Sequence, residues 1–230
     1  MSLQISTLPA DAALAREQEL FHRVSENPDQ RFLWLWQSPQ CLVAPRKFAS
    51  YPGFDAACTE LSAPGWPVHL RSTGGDVTPQ GPGIVNVTHV YAGPTAKAFD
   101  IEHAYDALCA PIENALGTGA SRGWQPGAFC DGAHNVQFNG LKFAGTAMRF
   151  RHCKADKSRF AVLAHALMLL RPPSHPMIDA INHFLKAVDQ KRTIVMDAHT
   201  GLPNDLAQDV FLGRLVNGFQ NAEAAPLTIL

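Results

Sequence analysis

The stretch from His134 to Leu170 constrains the fold more than any other part of the chain. "HNVQFNGLKFAGTAMRFR" and "RFAVLAHALMLL" hold three strand-like runs, rich in branched, aromatic and small apolar residues. Within them Lys142 sits among Leu141, Phe143 and Ala144, followed by Gly145, Thr146 and Ala147. Burying an unpaired ammonium is costly. Lys142 therefore points off a sheet into water, or into a site where an anion or an acyl carbonyl arrives.

The rest of the chain supplies further strands and helices to cover them. "RFLWLWQ" and "CLVAP" read as two strands divided by the turn-like "SPQ", "WPVHLR" as a third and "IVNVTHVY" as a fourth. "DAALAREQELFHRVSE" reads as a helix with Asp11 as its cap, and "GFDAACTEL" as a short one. "DIEHAYDALCAPIENALG" repeats Ile101, Tyr105, Leu108, Ile112 and Leu116 at helical spacing, and "MIDAINHFLKAVD" and "NDLAQDVFLGRLVNGF" are amphipathic. "STGGDVTPQGPG" reads as a loop. Repeats, low-complexity tracts and linkers are lacking. The expected architecture is α+β, a mixed sheet flanked by helices, in one domain spanning residues 1–230.

Composition excludes several classes of function. A net charge of -1 with 17% charged residues offers no basic field for nucleic acid. No apolar run approaches the roughly 20 residues of a membrane span. The first twenty residues lack the basic start and apolar core of a signal peptide. The five cysteines, Cys41, Cys58, Cys109, Cys130 and Cys153, are scattered and form no C-x-x-C, which argues against a disulfide framework or a metal site. A reducing cytoplasm is the expected compartment and a monomer the expected state.

Three places offer chemistry. In "LRSTGGDVTPQGPG", Gly74 and Gly75 let the backbone approach a ligand closely, and Arg71 at the strand end suits a phosphate or carboxylate. The segment is neither G-x-G-x-x-G nor a P-loop, and a surface turn is the alternative. Cys130, in "PGAFCDGAHN", is a buried small residue or, with a cation beside it, a nucleophile. His165, in "VLAHALMLL", is a core histidine or a site residue. No nucleophile-elbow serine or paired-carboxylate signature is present.

Taken in order, "RSTGGDVTPQGPGIVNVT", "FCDGAHNVQFNGLKFAGTAMR" and "AVLAHALMLL" resemble the lipoate–protein ligase A and octanoyltransferase family, related to biotin–protein ligases. The resemblance runs from about Phe32 to Leu170. It implies the biotin/lipoate ligase catalytic-domain fold, similar to class II synthetases, with a mainly antiparallel sheet. It also implies a site for a medium-chain acyl group joined to AMP or held as a thioester. The family's arginine and glycine loop fall on Arg71, Ser72, Thr73, Gly74 and Gly75, and its asparagines on Asn86 and Asn135. Its essential lysine, in G-x-K-x-x-G-x-A, falls on Lys142, with Gly145, Thr146 and Ala147 beside it, and its strand-opening histidine on His165. By this resemblance Lys142 hydrogen-bonds the acyl carbonyl and stabilises the oxyanion formed as a carrier lysine attacks. Trp34 or Trp36 would help to wall the acyl slot.

Departures from the family pattern bear on the acyl donor. Asp76 replaces a third loop glycine, Pro79 and Gln80 stand where ligases carry His-Asp, and Ala166 replaces the glycine after the histidine. "VTPQGPG" is similar instead to an octanoyltransferase pattern. The cysteine of one transferase class, in a Pro-Cys-Gly turn after the lysine, has no counterpart, because no cysteine follows Cys153. Another class keeps its cysteine in the loop before the lysine strand, where Cys130 lies.

The favoured expectation is a ligase that uses ATP and Mg²⁺ to attach lipoate or octanoate, through an acyl-adenylate, to the lysine of a lipoyl domain or H-protein-like carrier. The C-terminal accessory domain of full-length ligases is absent, or supplied by a separate chain. The alternatives are a Cys130-dependent octanoyltransferase drawing on an octanoyl carrier protein, and a degenerate paralogue that binds without chemistry.

Overall fold

The computed structural model describes residues 5–95, 98–221 and 226–230. In chain order the strands are β1 (Ser6–Thr7), β2 (Phe32–Gln37), β3 (Cys41–Pro45), β4 (Val68–Arg71), β5 (Thr78–Gln80), β6 (Ile84–Thr95), β7 (Ala120–Arg122), β8 (Val136–Phe138), β9 (Leu141–His152), β10 (Arg159–Leu169) and β11 (Thr228–Ile229). The α-helices are α1 (Ala10–Glu26), α2 (Phe54–Ser62), α3 (Ile101–Leu116), α4 (His175–Ala187) and α5 (Gln208–Asn221).

Eight strands form the main sheet in the order β1-β2-β6-β10-β9-β8-β7, with β11 also paired to β2. The long central pairs, β2 with β6, β6 with β10 and β10 with β9, are all antiparallel; β1 and β11 add parallel pairs at the β2 edge. A second sheet, β4-β3-β5, joins a parallel and an antiparallel pair. The architecture is the expected mixed α+β one.

Both faces of the main sheet are buried, which is why its strands read as nearly continuous apolar runs. Alternation along each strand assigns the faces. Leu33, Leu35, Val85, Val87, Val162, Ala164, Ala166 and Met168 pack against α3 and α5. Phe32, Trp34, Trp36, Val90, Ala161 and Leu163 pack against Leu20, Phe21 and Val24 of α1. The second sheet is closed by α2 and α4 through Leu42, Phe48, Leu61, Ile181 and Phe184.

Two local expectations are corrected. Asp11 does not cap α1: Pro9 holds the N-cap position with no side-chain cap, and the Asp11 carboxylate accepts from the neighbouring Ala12 N–H at 2.9 Å. The stretch read as one loop, "STGGDVTPQGPG", contains β5, which pairs Thr78, Pro79 and Gln80 with Val43, Leu42 and Cys41. Pro79 concealed it, since a proline inside a run argues against a strand unless the strand is at an edge. The short strands β1, β7 and β11 were not legible either.

Candidate active site

One irregularity in β9 decides where Lys142 points. Between Val136 and Gln137, adjacent on β8, the partner strand advances from Ala144 to Lys142, so Phe143 is an extra residue. Such a bulge reverses the alternation of side chains locally. Phe143 enters the core under α3 and α5. Lys142 turns to the side of Gly145, where an added Cβ would lie 3.1 Å from its Nζ.

Lys142 is 0% exposed, neither in water nor on the surface of a cleft. Its Nζ donates to the backbone carbonyls of Phe129 and, at 2.8 Å, of Cys130, and it lies 4.8 Å from the centre of the Phe129 ring. Burial pushes its pKa down to about 8, against the opposing influence of Cys130, Asp131 and Asp76.

Those hydrogen bonds fix the segment that carries Cys130, a non-glycine residue in the left-handed region at φ 46°. Asn135 adds a third restraint: its Nδ2 donates to the Cys130 carbonyl at 2.9 Å while its Oδ1 accepts from Thr146 N. On the outer side, His199 Nε2 accepts from Phe129 N at 3.2 Å and its ring stacks on Phe129. Burial and the nearby Lys142 lower the His199 pKa to about 4. A strained backbone held from several sides recurs at functional sites.

The Cys130 sulfur faces the glycine loop. It accepts from Asp76 N at 3.2 Å and has Arg71 Nη2 at 3.9 Å. Gly75, at φ 91°, passes so close that an added Cβ would lie 2.8 Å from Sγ. Arg71 is buried, and its guanidinium donates to the carbonyls of Val43, Gly74 and Asp76. Burial lowers its pKa, opposed by Cys130 and Asp76. The Asp76 carboxylate pairs with Arg192.

Beside Cys130 opens a cleft between the two sheets. Leu14, Trp36, Val43 and Leu167 form apolar wall; Arg71, Thr78, Gln80, Asn86, Gly145, Thr146, Ala147 and His165 also line it. Asn86 and Gln80 are locked in a reciprocal amide pair at 2.8 and 3.1 Å. Trp34 stands apart, against α1 beneath Arg16. A second, more polar recess borders Cys130 from the other side, with Gly74, Gly75, Asn135 and Thr146 among its walls. Ser72 lies on neither; it borders a recess by Arg46 and His69.

His165 belongs to a buried chain of polar groups. Its Nε2 lies 3.0 Å from Thr73 Oγ1, and its Nδ1 lies 3.0 and 3.2 Å from the two oxygens of Glu17. Thr88 donates to Glu17 at 2.7 Å, and Trp36 Nε1 donates to Thr88 at 3.0 Å. Sequence reading missed Glu17, which is 1% exposed. The signal was present: Glu17 occupies the apolar stripe of α1 set by Ala13, Leu20, Phe21 and Val24. It also missed Phe129, His199 and Arg192, which brace the Cys130 loop and pair Asp76. Among the described residues, no group of three His, Cys, Asp or Glu side chains could hold a metal ion, and no helix is long and apolar enough to cross a membrane.

Residues 9–214 match the family described as the lipoyl protein ligase A/B catalytic domain. The chain is 32% identical over 198 residues to an octanoyl-[GcvH]:protein N-octanoyltransferase of Kyrpidia tusciae, covering 82% of this chain and 67% of that protein. It is 27% identical over 141 residues to a protein of the same name from Anoxybacillus flavithermus, covering 61% and 51%. Among solved structures, a lipoate–protein ligase A bound with ATP superposes with a TM-score of 0.65 at 18% identity, covering 95% of this chain and 83% of that one. The bipartite lipoate protein ligase of Thermoplasma acidophilum, studied with its E2 lipoyl domain, gives 0.64 at 16%, covering 99% and 86%. At such identities the likeness is one of fold.

Proposed function

The chain belongs to the lipoyl protein ligase A/B catalytic-domain family, and from that premise we propose that it moves an octanoyl or lipoyl group between carrier-protein lysines through a thioester on Cys130. The observation that carries this reading is the setting of the sulfur. Cysteine sulfur is a competent acyl nucleophile, and here the sulfur accepts from Asp76 N at 3.2 Å with Arg71 Nη2 3.9 Å away. Arg71 and Asp76 N stand at the sulfur, which borders a cleft with Leu14, Trp36, Val43 and Leu167 as its apolar wall.

The donor is an octanoylated GcvH-type carrier, in keeping with the names of the two relatives; the acceptor is the lysine of a lipoyl domain. The acyl chain lies against Leu14, Trp36, Val43 and Leu167. Cys130 Sγ attacks the donor carbonyl, the donor lysine leaves, and the acceptor lysine then displaces the sulfur. Lys142 holds the left-handed Cys130 backbone through the Phe129 and Cys130 carbonyls and keeps a buried positive charge against the loop that carries the nucleophile.

What weighs against an adenylate route in this chain is the loop itself. The Arg71 donors are engaged by the carbonyls of Val43, Gly74 and Asp76, with Nη2 also 3.9 Å from the Cys130 sulfur. The Asp76 carboxylate also stands on the loop an adenylate phosphate would approach, and like charges there repel. No step through ATP or Mg²⁺ is therefore assigned. The test is intact-mass analysis after mixing the protein with an octanoylated carrier and no nucleotide. One octanoyl group on Cys130 is expected; octanoyl transfer that requires ATP and leaves the protein unmodified would refute the reading.

A further inference from the structure

Resting on the transferase reading above, we propose that the acceptor lysine of the carrier reaches Cys130 through the second, polar recess, and that Asp131 binds its ammonium there. Cys130, Thr146 and Ala147 border both cavities, so the nucleophile stands where the two meet. Their openings differ. Every residue lining the apolar cleft is buried or half-buried, whereas Gly74, Gly75 and Ala133 on the polar recess are exposed. A lysine carried on a folded domain enters where the wall is open, and the acyl chain keeps the closed side. The recess has a volume of about 180 Å³, against roughly 30 Å³ for one water, which leaves room for a side chain.

The lining of the recess suits a cation. Its titratable side chains are Tyr105, Cys130, Asp131 and His134, with neither Arg nor Lys among the described residues that line it. Arg71 lines the other cleft, and Lys142, 0% exposed, directs its hydrogen bonds to the Phe129 and Cys130 carbonyls. The His134 ring stacks on Tyr105 with centres 3.8 Å apart, and its Nε2 lies 3.6 Å from Glu102, so a proton on His134 is matched by that carboxylate.

Asp131 is held firmly but only half satisfied. Its Oδ1 accepts from Gln125 N at 2.7 Å and from Gly132 N at 2.9 Å, while Oδ2 receives no hydrogen bond from the described residues. An ammonium brings three donors and supplies the missing partner, in a bond roughly twice as strong as a neutral one. The donor carrier's octanoylated lysine is an uncharged amide, so Asp131 favours the acceptor over the donor. The bound ammonium loses one proton to water at the open rim. The amine then forms the N–C bond as the S–C bond breaks, and its second proton ends on the sulfur.

The experiment loads Cys130 from an octanoylated GcvH-type carrier, removes the carrier, and follows discharge of the thioester by intact mass. The acceptor is either an unmodified lipoyl domain or hydroxylamine, which is small and uncharged at neutral pH. In Asp131→Asn, which keeps the Oδ1 acceptor, the lipoyl-domain concentration for half-maximal discharge should rise about ten-fold or more, the weight of one hydrogen bond to a charged group. Loading and hydroxylamine discharge should fall far less. An equal loss in all three reactions marks a structural role for Asp131 and overturns the proposal, as does unaltered discharge by the lipoyl domain. Ala133→Trp, at an exposed rim position, should hinder both carriers while hydroxylamine still discharges the thioester. Wild-type rates with both carriers in Ala133→Trp overturn the proposal even if Asp131→Asn fails to fold. If the wild type forms no thioester, the transferase reading fails before any variant is compared and takes this proposal with it.

Discussion

The Nζ of Lys142 lies 2.8 Å from the carbonyl oxygen of Cys130 and grips that residue's backbone, not its sulfur. The same ammonium bonds the Phe129 carbonyl, so two consecutive carbonyls of the loop converge on one buried charge. Truncation to Lys142→Ala strands the Phe129 carbonyl, at about 1–3 kcal/mol for a buried group left unpaired, while the Cys130 carbonyl keeps its bond from Asn135. The expected result is a lower melting temperature and a loss of about 10²–10³ in transfer rate, the usual cost of removing one preorganised electrostatic donor. Lys142→Arg should fail too, because a wide, planar guanidinium does not replace a point-like ammonium in a sealed site. Thermal melts and single-turnover transfer on both variants check this.

Lys142 also predicts opposite pH trends for activity and stability. Its folded-state pKa is about 8, below the ordinary 10.5. The unfolded chain therefore binds this proton more readily between those values, and the contribution of Lys142 to stability increases as pH rises through that window. Transfer, which uses the charged form, should decline over the same rise. Denaturation of the wild type against Lys142→Met at several alkaline pH values isolates the stability trend, since other titrating groups are common to both. A transfer rate still level well above pH 8 would contradict the assignment.

Gly75 is where the loop comes nearest the sulfur. An added Cβ would sit 2.8 Å from Cys130 Sγ and 3.2 Å from Arg71 Nη2, and the φ of 91° is strained for any other residue. Gly75→Ala should cost about 1–2 kcal/mol for the backbone. It should also push the thiol away from Arg71, so thioester formation falls by more than the loss of stability explains. Intact mass and alkylation of Cys130 under native conditions read the two effects separately.

The cleft predicts a ladder of acyl preference. Leu14, Trp36, Val43 and Leu167 present apolar wall, and each buried CH₂ contributes about 0.8 kcal/mol, or about four-fold in binding. Acetyl, butyryl, hexanoyl and octanoyl carriers compared at equal concentration should rise in that order. Equal use of acetyl and octanoyl donors would mean that the cleft does not hold the chain.

How much of this was legible in the sequence follows from what each feature depends on. The long strands and helices announced themselves because branched and apolar residues recur at periods of two and 3.6. Lys142 drew attention as a charge among small apolar neighbours, and Arg71, Cys130 and His165 gained weight from the order of their segments and the family resemblance. What they do to one another was hidden. That Lys142 grips a backbone follows from a bulge at Phe143, a register effect between strands that no single run records. The pairing of Glu17 with His165 was hidden because the two lie 148 positions apart, and only the packing of α1 on β10 brings them together. β5 was hidden by Pro79, and the role of Arg192 depends on a loop that returns from α4 to Asp76.

The most direct test sets Cys130 against nucleotide. Wild type and Cys130→Ser are mixed with an octanoylated GcvH-type carrier and an unmodified lipoyl domain, without ATP, and the intact masses of all species are followed. The account predicts one octanoyl group on the wild-type enzyme, its passage to the lipoyl domain, and neither event in Cys130→Ser. Full transfer by Cys130→Ser, or octanoylation only when ATP and free octanoate are supplied, would contradict it.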